Sequence, residues 1–126
     1  MNVYGHDYKI DSCSSQLDSI TNTEVYKSVD KMPSVDGGMQ QLFQVMAKRI
    51  KYPKNDNYPI ESKVFVAFVV TELGDITGQR IVKNIEGTDL AEQLLEVVSE
   101  FKWLPGTCNG KQVPTILILP MIIDVK

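Results

Sequence analysis

A chain of 126 residues has room for one domain with one core. Its 43% apolar content is that of an ordinary globular protein, and a net charge of −3 with acids and bases interspersed excludes a nucleic-acid binder built on clustered positive charge. No run approaches the ~20 apolar residues of a membrane-spanning helix, and the first residues lack the basic, apolar, small-residue succession of a signal peptide.

Residues 1–23 are rich in Ser, Thr, Asn and Asp, with scattered apolar residues and no sustained period. They read as a polar lead-in, flexible or loosely docked over the second apolar face of the sheet, to a single domain over 24–126. Glu24 to Met32 has the composition for a short extra N-terminal strand, stopped by Pro33. Asp36-Gly37-Gly38 then opens the first clear helix, with Asp36 expected as its cap. Met39, Leu42, Phe43, Met46, Ala47 and Ile50 form its apolar stripe, and Lys48, Arg49 and Lys51 suit the negative end of its dipole. Pro53 ends the helix by restricting Tyr52 to extended backbone.

Lys63 to Thr71 is apolar on both faces, the signature of a strand central in a sheet or covered on both sides. Glu72-Leu73-Gly74-Asp75 has the composition of a hairpin turn, and Ile76 to Ile85 returns as a more polar partner strand interrupted by Gly78. A second helix follows, capped by Gly87 or Thr88, with Leu90, Leu94, Val97, Val98 and Phe101 as its stripe. Trp103 precedes Pro105-Gly106 and reads as a core plug. After the turn signal Asn109-Gly110, Val113 to Ile123 is a β-branched strand carrying Pro114 and Pro120. The expected fold is α+β: two helices packed as one layer on a three-stranded antiparallel sheet.

The two prolines of the last strand carry information. Proline has no N–H for a ladder, and these two are an even number of residues apart, so in a regular strand their missing donors lie on one lateral side. Thr115, Leu117, Leu119, Met121 and Ile123 then point their backbone groups to the other side, which can join the sheet. The proline side, with usable groups on Ile116, Ile118 and Ile122, is left as an edge. A bulge between the prolines would break this parity.

Chemistry is sparse. His6, the only histidine, sits in the lead-in without ligand-spaced neighbours and reads as a solvated residue. The acids of the second helix are a solvated face, and Gly37-Gly38 is a helix start rather than an anion site. No catalytic residue, metal ligand or cofactor site is expected. Cys13 and Cys108 are open between a bridge and free thiols.

Several stretches in register resemble a known family. Tyr52-Pro53 after an amphipathic helix, Val64 to Val70 with Leu73-Gly74-Asp75-Ile76, Trp103-Leu104-Pro105-Gly106, Asn109 to Pro114 and Leu119-Pro120 are similar to the C-terminal domain of TonB energy transducers, over about residues 24–124. The hairpin tip, usually Asp-Gly there, is Gly74-Asp75 here. The resemblance implies a periplasmic, non-enzymatic domain. Such a domain grips the TonB-box peptide of an outer-membrane TonB-dependent receptor and transmits energy for uptake of iron complexes, vitamins or glycans. Full transducers resemble one another in a membrane helix and a Pro-rich spacer, neither present in these residues. The chain therefore reads as an excised domain or a shortened relative, coupled to an inner-membrane motor only if such a helix precedes it. An open edge is what strand addition needs. The expected peptide contacts are Tyr52, Pro53, Pro114, Ile116, Ile118, Pro120 and Ile122. The alternatives are a stand-alone binding or dimerisation module without energy transduction, and a second copy of the domain taking the edge.

Overall fold

The segment that is apolar on both faces, Val64–Val70, becomes part of an inner strand of the sheet and is covered on both sides. In the computed structural model of the chain, residues 13–51 and 61–124 are described. Their elements run β1 (Ser14–Asp18), β2 (Thr23–Ser28), β3 (Ser34–Val35), α1 (Met39–Arg49), β4 (Glu61–Val70), β5 (Ile76–Lys83), α2 (Leu90–Ser99), β6 (Trp103–Leu104), β7 (Gly106–Cys108), β8 (Lys111–Val113) and β9 (Thr115–Asp124). The main sheet has the order β1-β2-β9-β4-β5, and two small ribbons, β3-β6 and β7-β8, complete it. The α+β class and the antiparallel trio β9-β4-β5 match the sequence. The sheet itself is larger than three strands: it has five, and β2 joins β9 in parallel.

One face of the trio carries the core. Val64, Val66, Phe68 and Val70 alternate along β4 and meet Leu42 and Ile50 of the first helical region and Leu90, Ala91, Leu94, Val97 and Val98 of α2. Trp103 is buried as expected. Its ring lies edge-on to Phe68 with centroids 5.2 Å apart, and its indole N–H donates to the Val98 carbonyl at 2.9 Å. The β4–β5 turn presses against the same tryptophan. Gly74 adopts φ 88°, and a Cβ there would fall 2.5 Å from the Trp103 carbonyl oxygen, so only glycine fits.

Helix α1 corrects the sequence reading. It is turned so that Val45, rather than Phe43 and Ala47, flanks the buried Leu42, and Phe43 is left 50% exposed. The apolar stripe was wider than the contact the sheet offers, because α2 occupies the adjoining strip. Leu94→Ala should therefore cost about 3 kcal/mol, whereas Phe43→Ala should cost under ~1 kcal/mol. Denaturant titration of both variants checks this, and equal losses would mean that α1 sits with Phe43 inward. The caps differ too. Gly38, not Asp36, takes the N-cap of α1, and Asp89 takes that of α2, neither with a side-chain capping bond.

The larger correction is at the N-terminus. Residues 13–23 are not a flexible lead-in: they form β1 and the turn of a hairpin with β2, registered from Ser14↔Ser28 to Asp18↔Thr23. The hairpin turn lies over the sheet face opposite the helices. There Gly78 (φ 63°) makes room, since a Cβ on it would stand 2.7 Å from the Thr21 methyl. Asp18, only 4% exposed, receives both terminal nitrogens of Arg80 at 2.7 and 2.8 Å, and the Thr21 N–H and hydroxyl at 2.9 Å each. Val25 is fully buried, as are Ala67 and Val69 on that face of β4. A Cys13–Cys108 disulfide, closing the alternatives the sequence left open, ties the start of the hairpin to the β7–β8 ribbon.

Candidate peptide-docking edge

Strand β9 pairs with β4 over ten consecutive residues, from Glu61↔Asp124 to Val70↔Thr115, with no shift of register. The parity argument therefore holds without a bulge. Pro120 stands opposite Phe65 and cannot donate, so its backbone faces away from β4, and with it those of Pro114, Ile116, Ile118 and Ile122. One contact on that side is direct: the Tyr26 N–H donates to the Pro114 carbonyl at 2.8 Å. The parallel register that puts Tyr26 opposite Thr115 also turns the Ile116 N–H toward β2. Beyond this pair β2 leaves. From Ile118 to Ile122 the outer side of β9 is joined to no described strand.

Strand β9 is the middle strand of five, and the two outer strands, β1 and β5, are both blunted. Strand β5 shifts register twice against β4, between Phe65 and Val66 and between Ala67 and Val69, and ends on Lys83. Bulges and terminal charge of this kind twist an edge away from further pairing. Strand β1 has five residues and shifts register between Ser14 and Ser15. The exposed stretch of β9 is the straight one.

Its side chains are also distinctive. Ile116, Ile118 and Pro120 share the sheet face of Val69, Ala67 and Phe65, away from the helices. The hairpin covers part of that face, but Ile118 remains 61% and Ile122 59% exposed, and Pro120 is exposed between them. Pro114 and Ile116 are half-buried beside β2. The structure thus groups five of the expected contact residues along one side of β9 and puts their open part at Ile118–Ile122. Tyr52 and Pro53 lie outside the described residues, as does His6.

Sequence reasoning missed Tyr26, Asp18 and Arg80, which fix where the open stretch begins. Gly78 inside a strand was the available signal, since an interior strand glycine marks a bulge or a close backbone approach. Both occur there. The other ion pair described, Arg49 with Glu100, links the ends of the two helices at the surface, and each partner favours the charged form of the other. It is exposed and solvent-screened, so it positions little.

A two-layer α+β domain whose middle strand leaves one side unpaired over Ile118–Ile122, with exposed isoleucines along it, has the architecture of a protein-interaction module. No helix of the described residues is long and apolar enough to cross a membrane. The chain belongs to the family described as the Gram-negative bacterial TonB protein C-terminal domain, whose sequence model matches residues 48–122. That family serves transport through protein interaction and is not an enzyme family. Among solved structures, the chain is similar to the solution structure of the Helicobacter pylori TonB C-terminal domain, at 22% identity over 70% of this chain and 80% of that one, with a TM-score of 0.47. No curated protein sequence matches this one.

Proposed function

We propose that this domain works in the periplasm by taking up the TonB-box peptide of an outer-membrane TonB-dependent receptor as an added strand along β9, and that it passes on work for nutrient uptake. The observation that carries the reading is the unbroken ten-residue β4–β9 register, whose outer side is unpaired beyond Ile116. Ile118 and Ile122 each offer an N–H and a carbonyl there, and Pro120 offers a carbonyl alone, which makes five ladder bonds in all (two, two and one). At ~0.5–1.5 kcal/mol net per bond, less the ordering of the peptide, affinity is weak. A weak grip suits a partner that must be released after each cycle. The disulfide is consistent with an oxidising compartment.

Parity supplies a sharp test. The Ile118 N–H points away from β4, so Ile118→Pro should keep the fold while weakening peptide binding about 10- to 100-fold, the equivalent of ~1–3 kcal/mol for a peptide carbonyl left without its donor. Pro120→Ala adds a donor and should tighten binding about 2- to 10-fold. Titration of a TonB-box peptide, followed by backbone amide shifts, reads both variants. Perturbations confined to α1 or to the 71–76 turn, with Ile118 and Ile122 silent, would overturn the proposal. Concentration-dependent shifts at Ile118 and Ile122 without any peptide would instead assign the edge to a second copy of the chain.

A further inference from the structure

The end of the molecule that carries the disulfide holds a second arrangement, independent of the β9 edge. Around the Cys13–Cys108 bridge, the two sulfurs and a carboxylate oxygen of Asp30 all lie within 4.8 Å of one another. The Asp30 Oδ1 is 3.8 Å from the Cys13 Sγ, and its Oδ2 accepts the Asn109 N–H at 2.6 Å. We infer that, once a dithiol reductant opens the bridge, Cys13, Cys108 and Asp30 bind a thiophilic divalent cation such as Zn(II).

The donor set is the first reason. Two thiolates and one carboxylate suit a borderline-soft tetrahedral ion, and its bonds of ~2.0–2.3 Å place ligand atoms about 3.3–3.8 Å apart. In the present cluster no two of these atoms are more than 4.8 Å apart, which brings all three donors to one place. Preorganisation is the second reason. The Asp30 and Lys31 N–H groups donate to the Thr107 carbonyl at 3.0 and 3.2 Å, and the Thr107 N–H donates to the Lys31 carbonyl at 2.9 Å. This backbone clamp keeps Asp30 beside Cys108 whether or not the bridge is closed. Ser14 pairs with Ser28, with their hydroxyls 2.9 Å apart, and holds Cys13 in place from the other side. The Asn109 N–H orients the carboxylate as an outer-shell partner orients a metal ligand.

The chemistry balances. The dithiol supplies two electrons and two protons, the cystine becomes two thiols, and the dithiol leaves as its own disulfide. The cation then displaces the two thiol protons. Cystine and metal dithiolate are alternative fasteners for the same hairpin.

The test uses the whole chain and Co(II) as a spectroscopic probe. Oxidised protein should show no thiolate-to-cobalt charge transfer. Protein reduced with a phosphine, which does not compete for the ion, should show it at one Co(II) per chain, and Zn(II) should displace the cobalt and raise the melting temperature of the reduced form only. Asp30→Asn keeps an oxygen acceptor for the Asn109 N–H, so the oxidised variant should melt as the parent does while its reduced form binds at least about tenfold more weakly. Absence of a thiolate–cobalt band in the reduced parent overturns the inference. So does equal Co(II) affinity with and without Asp30, including the case of a reduced chain that has lost its near-ultraviolet circular dichroism and binds through unfolded thiols.

Discussion

Replacing Cys13 and Cys108 together by serine should lower folding stability by about 4–5 kcal/mol. The bridge spans a sequence separation of 95, and closing a loop of that size removes about 4.7 kcal/mol of denatured-state entropy in the chain-entropy account. Measured losses for native bridges fall at ~2–5 kcal/mol, so the expectation lies at the upper end. The hairpin's other fasteners are mostly polar, the Asp18–Arg80 pair and the backbone bonds of Tyr26 and Lys31. The hairpin the bridge fastens exposes Leu17 and Ile20 and buries one large apolar side chain, Val25. Urea titration of the double variant, compared with the parent, reads the effect. The slope should rise with the loss, because an uncrosslinked denatured chain exposes more surface. A change below ~0.5 kcal/mol would mean that β1 and β2 stay docked without the bridge and that the denatured chain is compact for another reason.

That hairpin is also where the sequence was least legible. Strands β4 and β9 and both helices announce themselves locally, through runs of β-branched residues, a 3.6-residue period and prolines whose spacing fixes which side of β9 is free. Ser14 to Asp18 contains no such period. Its strand exists because of partners far along the chain: Arg80 is 62 residues from Asp18, and Cys108 is 95 from Cys13. Pairings of that kind leave no trace in a window of ten residues. Phe43 failed for a different reason. A helix can offer a wider apolar stripe than its neighbours can cover, and the sequence alone does not say which flank α2 will take. The last strand read as an edge strand, but β2 joins its proline side through Tyr26, so β9 is the middle strand of five and only Ile118 to Ile122 keep an unpaired outer side. That β5 is blunted by bulges rather than open was likewise a matter of register, which only the paired strands reveal.

Arg80→Ala should be nearly as damaging as loss of the disulfide, at about 3–5 kcal/mol, the cost of removing one partner from a buried ion pair. It would strand the Asp18 carboxylate, 4% exposed, with only Thr21 to hydrogen-bond it. Asp18→Ala should cost less, about 2–3 kcal/mol, because the Arg80 side chain is 21% exposed and can still reach water. Replacing both at once, Asp18→Leu with Arg80→Met, should be milder than either alone, since no buried charge is left unpaired. Acid gives the same pair a second reading. The hydrogen bonds from Arg80, joined by those from Thr21 and opposed by burial, hold the Asp18 carboxyl far below the usual carboxylate range. A group whose folded value is depressed contributes its stability fully above the unfolded value of about 3.9 and loses it as pH falls further. The parent should therefore lose stability steeply below about pH 4. The Arg80→Ala variant, whose carboxylate has no cation to lose, should show a flatter acid limb, so the gap between the two narrows as pH drops. Parallel melting-temperature curves from pH 7 to pH 2 for parent and variant would show that Asp18 and Arg80 do not act as a pair, and that the hairpin is held over β4 by Val25 and the disulfide alone.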